Sequence, residues 1–193
     1  AFTITTDTTI QLWVASVDAA VAQQIEGLTI NGSHGVPVQW LPDSTGLLVQ
    51  AIVKDRGTPP DQPRAPLGPV IEESSGRSGP VRTYQDLLQN AHDENLFDYY
   101  GHSQLAVVSL TAKSAQPIGP ASLFASVEIS PDGEHVLVVR IERPYSRLFP
   151  ASRFPKTIEV WNRRGESKYV VAAIPLQDNI PIEGVPTGPR AVT

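Results

Sequence analysis

The sequence predicts an all-β fold: a partial β-propeller of about two four-stranded antiparallel blades plus parts of two others, with one partly helical insertion. The first observation is a repeat. Trp40-Leu41-Pro42-Asp43-Ser44-Thr45-Gly46-Leu47-Leu48-Val49 sets a Pro-Asp turn between two apolar, β-rich runs, and Ile129-Ser130-Pro131-Asp132-Gly133-Glu134-His135-Val136-Leu137-Val138-Val139 does so again. Pro presets φ for an early turn position, Asp caps the turn, and Gly supplies positive φ, so each unit is a β-hairpin. The second observation is order. Each hairpin is followed by a third strand and a short fourth one, and recurrence at long period marks a propeller. The third is number: two units are too few to close a ring, so the chain is expected to be a piece of a larger protein.

The elements follow in order. Phe2-Thr3-Ile4-Thr5 reads as a strand, and Ile10 to Val17 alternates polar and apolar residues as a half-buried strand does. Val21 to Ile25 is its partner. Val36 to Leu41 and Leu47 to Val53 form the first hairpin. Gln104 to Leu110 resembles the strand at Ile10, and Gln116 to Ile118 is the short strand after it. Thr157 to Trp161 and Tyr169 to Ala173 play the same parts after the second hairpin. The boundaries are therefore 1–35, the tail of a preceding blade; 36–119, a blade interrupted by insertion 54–101; 120–175, a blade with loop 143–155; and 176–193, a linker to the next blade. A plain antiparallel sandwich explains the strands but not the repeated Pro-Asp, Leu12-Trp13 and Val160-Trp161 placements. The chain contains no Met, opens at Ala1 and stops as a further strand begins at Ala191, so both ends are expected to lie inside a longer chain.

Two insertions break the rhythm. Lys54 to Gly101 is too long for an ordinary hairpin loop, and loops of that length are usually functional or disordered. It is Pro-rich from Pro59 to Pro69, carries Glu72-Glu73-Ser74-Ser75-Gly76-Arg77, and then changes period. Thr83 and Asp86 suit a helix start, with Tyr84, Leu87 and Leu88 on one face. Asp93 to Tyr100 is expected as a second short helix. The other insertion, Arg143 to Pro155, is rich in Arg and aromatic residues.

Composition excludes several classes. A net charge of −5 over 193 residues argues against nucleic acid, which wants a basic face. No run approaches the roughly 20 apolar residues that span a bilayer, so no membrane partner is expected. The start carries no signal-peptide pattern. With no Cys there is no disulfide, Cys-ligated metal or thiol chemistry. Asn31-Gly32-Ser33 is formally a glycosylation sequon, but Asn-Gly is also a strong turn dipeptide and is read as a turn.

Few residues invite catalysis. Gly101-His102-Ser103-Gln104-Leu105 comes nearest to a Gly-x-Ser-x-Gly elbow, lacks the second Gly and leads into a strand, so it is read as structural. His92-Asp93-Glu94 offers metal-ligand types, but neighbours on a helix point apart. Glu72-Glu73 reads as solvated, and there is no Gly-rich phosphate loop. No catalytic residue, metal or cofactor is expected. The arginines are the better candidates: Arg77 and Arg82 in the first insertion, and Arg143, Arg147 and Arg153 in the second, among Tyr145, Phe149 and Phe154. Arg presents a planar fork to carboxylates. Arg77, Arg82, Arg143, Tyr145, Arg147 and Arg153 are therefore the candidate substrate-binding residues.

Longer strings carry a resemblance. Arg82-Thr83-Tyr84-Gln85-Asp86-Leu87-Leu88, Phe97-Asp98-Tyr99-Tyr100, Ser152-Arg153-Phe154-Pro155-Lys156 with Glu159-Val160-Trp161, and Ile180-Pro181-Ile182 with Val185-Pro186-Thr187-Gly188-Pro189-Arg190 resemble one group. Glu73-Ser74-Ser75-Gly76-Arg77 fits as well. The group is the glutamyl-endopeptidase-like branch of the prolyl oligopeptidase family of serine peptidases, in its bacterial form. The resemblance covers essentially the whole chain. It implies an N-terminal β-propeller covering a C-terminal α/β-hydrolase domain that holds the Ser-Asp-His triad, and no position here matches that domain. It also implies peptide cleavage after Glu, with the propeller restricting access and helping to bind substrate. Related aminopeptidases hold a peptide N-terminus with an acidic pair on a propeller insertion; that role is not transferred to Asp93-Glu94. The implied partners are the hydrolase domain, which the two insertions are expected to face, the remaining blades and the peptide substrate. A periplasmic or secreted location is expected for a bacterial parent. The rival expectation is a TolB-like or WD-repeat-like scaffold for protein binding.

Overall fold

A computed structural model describes residues 1–63 and 84–177. The chain is mostly β. A three-stranded antiparallel sheet comprises β1 (Phe2–Thr5), β2 (Ile10–Ser16) and β3 (Val21–Ile25) in that order. A seven-stranded antiparallel sheet follows in sequence order: β4 (Val38–Trp40), β5 (Gly46–Ile52), β6 (His102–Ser109), β7 (Ser114–Ile129), β8 (His135–Ile141), β9 (Lys156–Asn162) and β10 (Ser167–Ile174). A single α-helix, α1 (Ala91–Gly101), lies between β5 and β6 among the described residues.

β7 serves two ladders. Ser114 to Leu123 pairs with β6, and Phe124 to Ile129 pairs with β8. The seven strands are thus two four-stranded meanders that share one continuous strand. The short strand expected at Gln116 to Ile118 does not stop before the second unit but runs straight into it. Continuity is possible because the β6–β7 ladder bulges between Ser103 and Leu105. There the Gln104 side chain substitutes for the missing ladder bonds, Nε2 donating to the carbonyls of Ile118 (3.0 Å) and Gly119 (3.1 Å).

Both Pro-Asp hairpins form, with one difference from expectation. Gly133 takes the left-handed conformation in the second turn (φ 73°), but its counterpart in the first is Ser44 (φ 59°), not Gly46. Gly46 is there for room, since a Cβ would stand 2.3 Å from the Val108 carbonyl oxygen. Asp43 Oδ1 accepts from the Thr45 backbone N–H (3.0 Å) and hydroxyl (2.8 Å). Asp132 Oδ1 accepts from the Ser130 hydroxyl and the Glu134 N–H (2.9 Å). These bonds stabilise the ionised form and hold both carboxyls below the usual range, the Thr45 N–H leading at Asp43 and the Ser130 hydroxyl at Asp132.

Strand alternation decides the packing. From β5 and β6, Leu47, Val49, Ala106 and Val108 pack on Leu12, Ile25 and Ile30 of the three-stranded side. The opposite face, with Leu48 and Leu105, packs on Phe124, Val127, Val136, Val138 and Trp161 of the second meander. The first meander is therefore sandwiched between the other two layers, and burying each of its leucines is worth roughly 1.5–3 kcal/mol. Within the second meander a buried carboxylate is fully engaged. Glu159 accepts from Arg140 Nε (2.9 Å), Trp161 Nε1 (3.2 Å) and the Ser167 hydroxyl (2.9 Å).

Candidate functional site

The two insertions meet at one end of the sheets. β5 and β8 both run towards that end, and β6 and β9 both leave it. The helix expected to start at Thr83 or Asp86 does not form over the described residues 84–90. Asp86 is left-handed (φ 56°), which breaks a right-handed helix. Tyr84 instead packs on Phe149 (5.8 Å between centroids), and Leu88 joins Leu123, Ile141 and Phe154. The second expected helix does form, as α1. Asn90 Oδ1 accepts from the Asp93 N–H (2.9 Å) and Asp93 Oδ2 accepts from the Gln89 N–H (2.8 Å), a reciprocal N-terminal cap.

Four-residue spacing puts Glu94 and Asp98 on one helical face, and that face meets the second insertion. Arg143 Nη1 donates to Glu94 Oε2 (2.9 Å), while its Nη2 and Nε donate to Asp98 Oδ2 (2.6 and 3.1 Å). Arg147 donates through Nη2 and Nε to Glu94 Oε1 (3.0 and 3.1 Å). The Tyr145 hydroxyl donates to the remaining oxygen of Asp98, and the Arg143 guanidinium lies 4.8 Å above the Tyr145 ring. Burial and then the Asp98 hydrogen bond push the Tyr145 phenol well up, and the same carboxylate raises Arg143. Beneath the ion pairs, Tyr145 stacks on buried Phe154 (4.9 Å) and Phe97 meets both edge-on (5.1 and 5.7 Å). Arg143 and Arg147 are 46% and 50% exposed, so each pair by itself is worth about 0–1 kcal/mol and the aromatic layer does most of the holding.

Of the candidate residues, Arg143, Tyr145 and Arg147 are thus brought together on α1. Arg153 stands apart, its guanidinium 5.0 Å over the Phe149 ring and Nη1 donating to the Gln177 carbonyl (3.4 Å). Arg77 and Arg82 lie outside the described residues, as does Glu72-Glu73. Ser103 is buried at the start of β6 with its hydroxyl donating to the Gly101 carbonyl (3.3 Å), a structural arrangement. Asn31 also makes a turn: Oδ1 accepts from the Ser33 N–H (3.1 Å), and Nδ2 donates to the carbonyls of Tyr100 (2.9 Å) and His102 (3.0 Å).

A second cluster escaped the sequence reading. Arg56 follows β5, and its guanidinium lies 4.5 Å over the Tyr99 ring and 5.9 Å from that of Tyr100. Nη1 donates to the Tyr99 carbonyl (3.3 Å), and the Tyr99 hydroxyl donates to the Gly57 carbonyl (2.8 Å). Beside it opens a shallow cavity of about 360 Å³ whose polar wall includes Thr6, Thr8, Thr9, Ser33, Arg56 and Tyr100. Lys54-Asp55-Arg56-Gly57 has ordinary turn composition and gave no signal. The Glu94–Asp98 spacing was a usable signal, given the helix.

The described residues define a class, an antiparallel β scaffold with a helical insertion and an Arg-aromatic loop locked together at one end. No protein-family model matches the chain. Curated proteins do. The chain is 37% identical over 189 residues to a protein of Oryza sativa subsp. japonica named probable glutamyl endopeptidase, chloroplastic, covering 95% of this chain and 20% of that protein. It is 37% identical over 175 residues to an Arabidopsis thaliana protein of the same name, covering 89% of this chain and 18% of that protein. The chain spans about a fifth of the length of these relatives. It is related in sequence to proteins named as peptidases.

Proposed function

We propose that the chain is the non-catalytic propeller portion of a larger serine peptidase that cleaves peptides after Glu. In this reading the insertion-bearing end gates access and helps to bind substrate. The C-terminal α/β-hydrolase domain packs over that end, and further blades flank the described sheets. The names of the two curated relatives support the peptidase part. Face-to-face stacking of successive sheets, with equivalent strand positions facing the same way, supports the propeller part. The scaffold alternative draws no support from either name.

The observation that carries the reading is the convergence of both insertions on one end, where Arg143 and Arg147 meet Glu94 and Asp98. Arg77, Arg82, Arg143, Tyr145, Arg147 and Arg153 are proposed as the substrate-facing wall. At Arg143 and Arg147 a substrate carboxylate gains a guanidinium by displacing an acid of α1.

Two measurements test this. The chain alone, incubated with a Glu-containing fluorogenic peptide, is expected to give no turnover that tracks its concentration. In the full-length parent, Arg143→Ala, Arg147→Ala and Arg153→Ala are compared for kcat/KM on peptides with Glu or Gln at the cleavage position. A fall in the Glu-to-Gln ratio in at least one variant is expected. An unchanged ratio in all three removes these arginines from substrate handling.

A further inference from the structure

We infer that the cavity beside Arg56 is a binding site for the carboxylate of an acidic peptide. The inference deepens the proposed function and rests on it for the role of the bound peptide; the binding itself is argued from the site. Among the described residues, Arg140, Arg143, Arg147 and Arg163 each have a carboxylate within ion-pair distance, whereas Arg56, like Arg153 and Arg164, has none, and of these three Arg56 alone lines this cavity. Asp98, which lines a neighbouring hollow with Arg56, is committed to Arg143 and Tyr145.

The rest of the cavity suits the same ligand. Arg56 spends only Nη1, on the Tyr99 carbonyl, so Nε and Nη2 have no hydrogen-bond partner among the described residues. They form the fork that binds a carboxylate through two parallel bonds. Stacking on Tyr99 fixes the plane of that fork and shields one side from water. Thr8 and Tyr100 line the same space, and their hydroxyls likewise have no partner among the described residues. Ile10, Ile30 and Ile52 supply an apolar floor for a short aliphatic stem. One guanidinium among neutral hydroxyls matches one negative charge, which selects a carboxylate. The cavity lies at the insertion-bearing end, since Arg56 follows β5 and Tyr100 lies in the last turn of α1.

Amide NMR on the 193-residue chain tests the site without turnover. The probes are N-acetyl-glutamate amide, N-acetyl-glutamine amide and N-acetylalanine. The glutamate probe is expected to shift Thr8, Thr9, Gly32 and Ser33 saturably, with at least tenfold weaker binding of the glutamine probe. N-acetylalanine, which offers only a terminal carboxylate, distinguishes a side-chain receptor from a C-terminus receptor by which probe binds more tightly. Arg56→Gln is expected to weaken the tighter probe at least tenfold, Arg56→Lys less so, and Arg163→Gln, in the β9–β10 turn, not at all. Equal binding of Glu and Gln probes without a tighter N-acetylalanine, shifts confined to other residues, or an Arg56→Gln variant that binds like the parent would overturn the site. If Arg56→Gln does not fold, the map of shifts on the unaltered chain decides. Binding without any peptidase activity in the longer parent would sink the functional reading and leave the site standing.

Discussion

The two meanders are built on the same turn, yet equivalent residues meet different fates. Leu48 and Leu137 each stand six residues after the Pro of their turn, Pro42 and Pro131. Leu48 is 2% exposed because the second meander covers it, whereas Leu137 is 37% exposed on the face beyond. Their neighbours Leu47 and Val136 point the other way, and both are buried against the preceding layer. Trp13 and Trp161 repeat the lesson. Trp161 is buried against the first meander, edge-on to Phe124 at 5.9 Å, while Trp13 lies half-buried with Phe2 at 6.4 Å. Burial here is a property of the neighbouring sheet, with the residue itself merely facing a set direction.

That comparison can be broken by substitution. Trp161→Ala is expected to cost about 3–5 kcal/mol by the cavity it opens, and Leu48→Ala about 3 kcal/mol. Leu137→Ala is expected to cost below about 1 kcal/mol in urea unfolding. If Leu137→Ala costs as much as Leu48→Ala, that face is covered in solution, and sedimentation at several concentrations will show the association.

The turns give a smaller effect. Gly133→Ala is expected to lose about 1 kcal/mol, because its Cβ meets only Pro42 at an ordinary 3.5 Å and the penalty is the left-handed backbone. Ser44→Gly is expected to gain about 0.5 kcal/mol at the twin position. Opposite signs at the two sites sharpen the equivalence, and equal signs break it.

The smallest effect is acid dependence. Asp43 and Asp132 both have folded pKa values below the ordinary one. Each contribution is therefore complete above the unfolded value of about 3.9 and is lost as pH falls through the folded value. The Asp43→Asn, Asp132→Asn double variant is expected to show a shallower loss of stability below that pH than the parent.

Much of this was legible because turns and alternation are local. Pro42-Asp43 and Pro131-Asp132 announced both hairpins, the alternation of Ile10 to Val17 located β2, and the likeness of Gln104 to Leu110 and Thr157 to Trp161 to that run located β6 and β9. Asp86 misled because its side chain type suits a helix start while its backbone is left-handed, which only tertiary packing of Tyr84 and Leu88 explains. The continuity of β7 was hidden because it depends on a Gln104 amide reaching across a bulge. In the candidate site, Arg143, Tyr145 and Arg147 stood out by composition. Their partners Glu94 and Asp98 did not, although the helix expected over Asp93 to Tyr100 already put the two on one face. Arg56 was invisible because what distinguishes it is a missing acid and two tyrosines over forty positions away.

The shared strand β7 also makes the molecule divisible. A cut between Gly119 and Pro120 leaves β4, β5, β6 and Ser114 to Ile118 on one piece, and Phe124 to Ile129 with β8, β9 and β10 on the other. The pairs His102–Leu123 and Ser103–Ser122, and the Gly119 N–H donating to the Arg164 carbonyl (3.3 Å), then bridge the two backbones. What else joins the pieces is the apolar contact of Leu48 and Leu105 with Val138 and Trp161, and the lock of α1 on the second insertion through Glu94, Phe97 and Asp98. Two halves made separately would carry matching faces, and their dissociation constant would report the affinity of one sheet with its insertion for the next, free of the tether that normally hides it.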